Sequence, residues 1–153
     1  MSAHAAAHGF EIAVTRFPAT TRTAQDAARE IGCTVGEIVK SLVFIADAAP
    51  VVVLCSGADR VDEPKLRSAL GASAVRRATA DEAKSATGYA IGGVPPFGHA
   101  AELRVIVDPG LLEHPTVWAA AGLPDAVFPI APADLVRLSR ATVADISSSH
   151  DAR

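Results

Sequence analysis

Two segments of this 153-residue chain combine residue types that can act on a polar substrate. The first is 88–98, Gly-Tyr-Ala-Ile-Gly-Gly-Val-Pro-Pro-Phe-Gly, with four glycines and two prolines in eleven residues. Gly92, Gly93 and Gly98 can take positive φ, while Pro95 and Pro96 prevent collapse into helix, so a stiff loop results that offers main-chain amides at close range. A tight crossover that merely turns the chain has the same composition, and composition alone favours that plainer role. A phosphate loop of the Gly-x-x-x-x-Gly-Lys-Ser/Thr kind is absent, as is Gly-x-Gly-x-x-Gly after a strand. The second is Lys40, set among Ile38, Val39, Leu42 and Val43. A lysine there either snorkels to solvent or points into a cleft, and on its own the first reading is the commoner.

Other reactive side chains have blander explanations. His99 follows the loop and could serve as a general base, although an exposed histidine is the ordinary reading. His114, before Pro115, reads as solvated. Cys55 closes an apolar run with no cationic neighbour in sequence to lower its pKa, and with Cys33 it reads as a buried free thiol. Trp118 and Phe128 alternate within strand patterns and read as core. Asp108 and Asp145 fall at strand ends, where caps and turns explain carboxylates. His4 and His8 do not make a metal site, and no metal or other cofactor is expected.

The elements that must hold these groups are legible from periodicity. Thr23 is a plausible N-cap with Asp26 three residues on, followed by the stripe Ala24, Ala27, Ala28, Ile31 and a stop at Gly32. A short helix is expected over 35–39, then buried strands over 42–45 and 51–55 joined by the turn 47–50 as a central hairpin. Asp62-Glu-Pro opens a helix over 63–70 that Gly71 stops. A short strand over 74–77 precedes Thr79-Ala-Asp-Glu82, a capping-box spacing that starts a helix to about Thr87. Strands over 103–107, 116–120, 126–130 and 142–146 follow, with a helical turn at 109–113 and a helix over 132–138. Residues 1–14 read as a loose tail, and 148–153, with Ser147 before them, as a frayed end. The fold class is mixed α/β: one domain with a mixed parallel and antiparallel barrel-like sheet surrounded by helices.

Half the residues are hydrophobic and a fifth are charged, which suits a packed core and excludes wholesale disorder. The apolar runs are too short to cross a bilayer, and the start lacks the basic and apolar regions of a signal peptide, so a cytoplasmic protein without membrane contact is expected. A net charge of −3 argues against coating DNA or RNA by bulk electrostatics. Locally, Arg60, Lys65, Arg67, Arg76 and Arg77 outnumber Asp59, Asp62 and Glu63, so a small phosphate contact between 59 and 77 stays open beside an ordinary solvated face.

Taken together, Thr23-Ala-x-x-Ala-Ala, Gly36-Glu-Ile-Val-Lys40-Ser-Leu-Val-Phe44, the 88–98 loop and Ala133-Asp-Leu resemble, in order and spacing, the YbaK and prolyl-tRNA-synthetase-associated editing domains over roughly residues 15–147. The combination of the Val-Lys-Ser-Leu-Val block with a downstream Gly-Gly-x-x-Pro-Phe-Gly loop carries the likeness. The resemblance implies the barrel-like fold and hydrolysis of mischarged aminoacyl-tRNA, with a small amino acid such as Ala or Cys on tRNA-Pro. It implies the tRNA acceptor end as partner, with prolyl-tRNA synthetase as a further one. Lys40 falls on the family's essential lysine. Gly93, Pro96, Phe97 and Gly98 fall on its substrate-facing loop. Ser41, Gly92 and His99 are expected to line the substrate site beside them, with Lys40 and Gly98 as the catalytic pair. Asp125 is a pocket-edge candidate, because this chain has Ala121-Gly-Leu-Pro-Asp125 where many relatives carry a glycine- and lysine-rich turn. Ester cleavage passes through an oxyanion that needs preorganised donors, a role open to the Gly93 and Gly98 amides and the Lys40 ammonium. No Ser-His-Asp or Cys-His arrangement is supported by spacing, so a positioned water is the expected nucleophile. Rival readings are a non-catalytic synthetase- or ligand-binding module and a thiol hydrolase using Cys55.

Overall fold

A computed structural model of the chain describes Ala5, Gly9 and residues 11–17 and 23–148. Helices start and stop where short-range chemistry dictates. In α1, Ala24–Ile31, the Thr23 hydroxyl accepts from the Asp26 amide at 3.0 Å and the Asp26 carboxylate accepts from the Thr23 amide at 3.3 Å, while Gly32 closes the helix at φ 84°. Asp62 caps α2, Glu63–Leu70, and left-handed Gly71 ends it. Thr79 and Glu82 form the reciprocal cap of α3, Ala80–Thr87. The last helix, α4, spans Pro132–Ser139.

The strands are β1 Thr15–Arg16, β2 Val39–Ala46, β3 Ala49–Ser56, β4 Val75–Arg77, β5 Arg104–Val107, β6 Val117–Ala120, β7 Ala126–Ile130 and β8 Thr142–Val143. Five form one sheet in the order β4-β2-β3-β5-β8, with the β2–β3 hairpin at its centre as expected. Pairing is antiparallel from β4 to β3 and parallel from β3 through β5 to β8. A second, antiparallel sheet runs β1-β7-β6, and a parallel bridge between Ile38 and Trp118 joins the two. The result is the mixed, barrel-like α/β domain the sequence implied. Its main core packs Val52, Leu54, Val107, Phe97, Phe128 and Leu135 between the sheets and α4. A second core, on the other face of the hairpin, packs Phe44, Val53, Cys55 and Leu66.

Four expectations are corrected. The helix at 35–39 shrinks to a 3-10 turn, Val35–Glu37, closed by Glu37 Oε1 accepting from the Thr34 amide at 2.9 Å. Beyond it, β-branched Ile38 and Val39 go extended because β3 is long enough to pair with Val39 through Ser56. Lys40 therefore sits inside a strand, not at a helix end. The final strand is only Thr142–Val143, since Asp108, fully buried, takes the Ile146 amide at 3.0 Å and pulls the chain off the sheet. Fraying does not begin at Ser147, which is buried and bridged to Val61, while Ser148 donates to the Arg60 carbonyl. In the segment read as a tail, Ala5 and Ile12 pack against the main core. His4, His8, Thr21 and residues 149–153 lie outside the described residues.

Candidate functional site

The site follows from how β2 is covered. β4 pairs only with Phe44–Ala46, the Ala78 amide reaches the Val43 carbonyl at 3.0 Å, and at the other end Trp118 bridges to Ile38. Among the described residues no strand covers the outer edge of β2 between those points. A cavity of about 250 Å³ opens along that edge, which is why six consecutive residues, 38–43, line it from both faces of the strand. Its walls are apolar: Val94 and Ile91 from the glycine-rich loop, Ala78 and Ala83 beside α3, Ala24 and Ala27 of α1, Trp118 and Ala120 of β6, and Val127 of β7. Among the described residues, the charged and hydroxyl side chains on it are Lys40, Arg77, Ser41 and Thr23, and no carboxylate lines it.

Lys40 stands opposite Cys55 in the hairpin register, on the face that carries Leu42 and Phe44. Its ammonium is half-buried and donates to the Asp59 main-chain carbonyl, a bond that fixes the stem and leaves two further N–H donors. Ser41 points to the other face, and its buried Oγ has no hydrogen-bond partner among the described residues. A buried hydroxyl in that condition is poised for a ligand or solvent. Gly92 lines the same cavity at φ 88°, a conformation that favours glycine.

The rest of the expected loop is placed elsewhere. Gly93 is buried and its amide is committed to the Ala90 carbonyl at 3.0 Å, so it is no oxyanion donor. It is glycine for another reason: a Cβ there would stand 2.9 Å from the Leu123 carbonyl carbon, because the loop rests on the backbone of 121–125. Phe97 is core, 5.8 Å edge-to-face from Phe128, and Pro96 is buried with it. Gly98 and His99 line a different cavity with Arg104, Leu138 and Arg140, and His99 Nε2 meets the Pro95 carbonyl at 2.7 Å, bracing the loop. The structure thus brings together Lys40, Ser41 and Gly92, and does not bring Gly98 or His99 to them.

Other side chains sort similarly. Asp125 binds Arg16 at 2.8 Å, which holds its carboxyl below the usual range and ties β1 to the turn beside Pro124. Asp108 accepts from Gly110 and Ile146 amides as a buried cap, and Asp145 pairs with Lys65 at 3.6 Å. Trp118, half-buried, packs against the small core of Phe17, Ala27, Ile38 and Val127 and also forms part of the cavity wall. Contrary to the sequence reading, Cys55 does have cationic neighbours, Lys40 and Arg77, but burial outweighs them and pushes its thiol up to about 11. A thiol held so far above neutral pH is a poor nucleophile. Arg77 also lines the cavity although no motif marks it. Its signal was the basic stretch between 59 and 77, within which the structure pairs Lys65 and Arg76 with carboxylates and leaves Arg77 at the cavity.

A sequence profile of the aminoacyl-tRNA editing domain matches residues 18–138, most of the chain. The chain belongs to that family. Among its relatives is the uncharacterised protein YwhH of Bacillus subtilis (strain 168), 33% identical over 127 residues that cover 82% of this chain and 80% of that protein. A stretch of 87 residues is 39% identical to the proline–tRNA ligase of Ligilactobacillus salivarius (strain UCC118), covering 57% of this chain and 15% of the ligase. The crystal structure of a candidate trans-editing enzyme for prolyl-tRNA synthetase superposes with a TM-score of 0.91 at 42% identity, covering 96% of this chain and 94% of the other. The family assignment and the fold agree with what the Lys40 block and the glycine-proline loop implied. The protein is an editing domain of aminoacyl-tRNA quality control. Among the described residues, no helix of this editing domain is long and apolar enough to cross a membrane.

Proposed function

We propose that this editing domain hydrolyses the ester of a small amino acid, of the Ala or Cys class, wrongly attached to tRNA-Pro, acting as a free-standing deacylase. The observation that carries the reading is the pairing of an ammonium, Lys40, fixed by the Asp59 carbonyl, with a small apolar cavity whose wall carries no carboxylate among the described residues. An aminoacyl ester entering along the β2 edge would place its carbonyl against the two free Lys40 donors, with Ser41 Oγ and the Gly92 main chain beside it. Water attacks the carbonyl carbon, negative charge gathers on the carbonyl oxygen, and the ammonium stabilises it where it develops. Collapse breaks the bond to the ribose oxygen, which leaves as a hydroxyl after taking the proton released by the water. Among the described residues no histidine or carboxylate lines this cavity, so a neighbouring ribose hydroxyl of the substrate is the natural relay for that proton. The raised thiol of Cys55 disfavours an acyl-enzyme through sulfur. The roles of Lys40 and Ser41 belong to this proposal. Gly98, placed at the other cavity, is assigned no part in it.

The deciding experiment is a deacylation screen with purified protein against tRNA-Pro charged with alanine, cysteine or proline, and against cognate alanyl-tRNA. Release of alanine or cysteine from tRNA-Pro, with prolyl-tRNA-Pro spared, is the expected result. Tight binding to a synthetase with no turnover on any of these substrates would instead support the non-catalytic module.

A further inference from the structure

The cavity carries a charge pattern that catalysis at Lys40 does not account for. The chain as a whole has a net charge of −3, yet among the described residues the cavity wall holds two cations, Lys40 and Arg77, and no acid. Arg77 is not neutralised from within. Its neighbour Arg76 bonds both carboxylate oxygens of Glu82 on α3 at 2.7 Å each, so that carboxylate is already engaged by a two-pronged pair. The Arg77 guanidinium forms no ion pair among the described residues. Instead it lies 5.5 Å from the Phe44 ring centroid, and this stacking holds the planar fork at the cavity while leaving its edge N–H donors available. A fixed, unpaired guanidinium with donors in a plane is the group best matched to a phosphate.

We propose that Arg77 anchors a backbone phosphate of the tRNA 3′ end, next to the terminal nucleoside whose ester lies at Lys40. This rests on the deacylase reading for the identity of the ligand but not for the binding itself. Lys40 then serves the ester, and Arg77 the phosphate that any aminoacyl-nucleotide brings with it and a free amino acid does not. The single tryptophan, Trp118, lines the same cavity and supplies an internal reporter.

The test titrates the purified protein with the trinucleotide CpCpA, with adenosine, and with inorganic phosphate, following Trp118 fluorescence at several salt concentrations. Wild type should bind CpCpA more tightly than adenosine or phosphate. Arg77→Ala should weaken CpCpA about tenfold, leave adenosine unchanged, and flatten the slope of log affinity against log salt by about 0.7, the value for one phosphate contact on a single strand. Arg77→Lys should recover part of the affinity, and the melting temperature of each variant separates loss of binding from loss of the Phe44 stack. Equal CpCpA affinity and salt slope in wild type and Arg77→Ala would overturn the inference. So would binding of inorganic phosphate as tight as that of CpCpA. In parallel, Arg77→Ala should raise KM for misacylated tRNA with little change in kcat. If wild type turned over no misacylated tRNA, the deacylase reading would fail while the CpCpA titration still decided the role of Arg77.

Discussion

Replacing Lys40 by methionine separates its chemical role from its structural one. Methionine keeps the length of the stem along the hairpin and removes the ammonium. Two effects follow. The Asp59 carbonyl loses its donor; a hydrogen bond from a charged group contributes about 1.5–3 kcal/mol, and because Asp59 is buried, about 2 kcal/mol is the expected loss. For a chain of this size that lowers the melting temperature by about 4–8 °C. A domain with stability on the order of 5–15 kcal/mol stays folded by more than 99% after such a loss. The second effect is on the transition state, where removing one preorganised donor to an oxyanion slows the reaction about 10²–10³-fold. A hundredfold drop therefore cannot arise from unfolding and must report the chemistry. The assay is single-turnover deacylation of alanyl-tRNA-Pro with enzyme in excess, beside thermal melts followed by circular dichroism. Lys40→Arg should retain part of the rate, since the charge survives but a planar fork replaces a freely rotating trio of donors. A Lys40→Met protein that melts near wild type and deacylates within threefold of it would refute the assignment.

Further outcomes can be checked with simpler measurements. Gly93→Ala should lose about 1–3 kcal/mol in chemical denaturation, because the new methyl would meet the Leu123 and Gly122 backbone at 2.9–3.1 Å and neither segment can yield as a side-chain tip would. Cys55 should resist a thiol-specific reagent at pH 8 in the native protein, only half-buried Cys33 reacting, and slowly, with both thiols labelled after unfolding. Glu82, bonded to Arg76, holds its proton only below about pH 2, against an ordinary 4.5 in the unfolded chain. The unfolded state thus binds the proton first on acidification, and the stability this group contributes is complete above about pH 4.5 and lost as pH falls toward 2. Melting temperatures of wild type and Glu82→Gln, measured from pH 7 down to pH 2.5, should accordingly converge.

Legibility in the sequence tracked the range of the interactions involved. Thr23 with Asp26, and Thr79 with Glu82, are three residues apart and close on themselves, so both helix starts could be read directly, as could the stops at Gly32 and Gly71. The 35–39 segment failed because its conformation is decided at a distance: β3 offers eight residues of ladder, and pairing Val39 with Ser56 wins over a local helical preference that Gly36 already weakens. The candidate site divides the same way. Lys40 and Ser41 are neighbours on β2, and Gly92 reaches their cavity from the glycine-rich loop only once the chain has folded. Gly93 and Phe97 share their motif yet face inward, since in the folded chain a motif glycine can be fixed by the backbone that passes over it, here Leu123, as readily as by a ligand.

Arg77 shows the opposite case. Nothing in the local sequence distinguishes it from Arg76, and both read as one solvated basic run. The difference is created by register: pairing of β4 with β2 sets Arg77 opposite Phe44, on the same face, and Arg76 opposite Ile45. One arginine is thereby turned onto an aromatic ring at the cavity and the other toward Glu82 on α3. A shift of one residue in that pairing would exchange their surroundings, since neighbouring strand positions face opposite sides. The charge available to a ligand therefore depends on a three-residue strand at the edge of the sheet. Weakening that strand should damage substrate capture before it damages the fold. Asp47→Ala, which removes the carboxylate that accepts from the Ser73 and Ala74 amides at 2.9 and 3.0 Å where the chain enters β4, should raise KM for misacylated tRNA more than it lowers the single-turnover rate at saturation. An unchanged KM with a registrably altered β4 would show that the register does not govern binding.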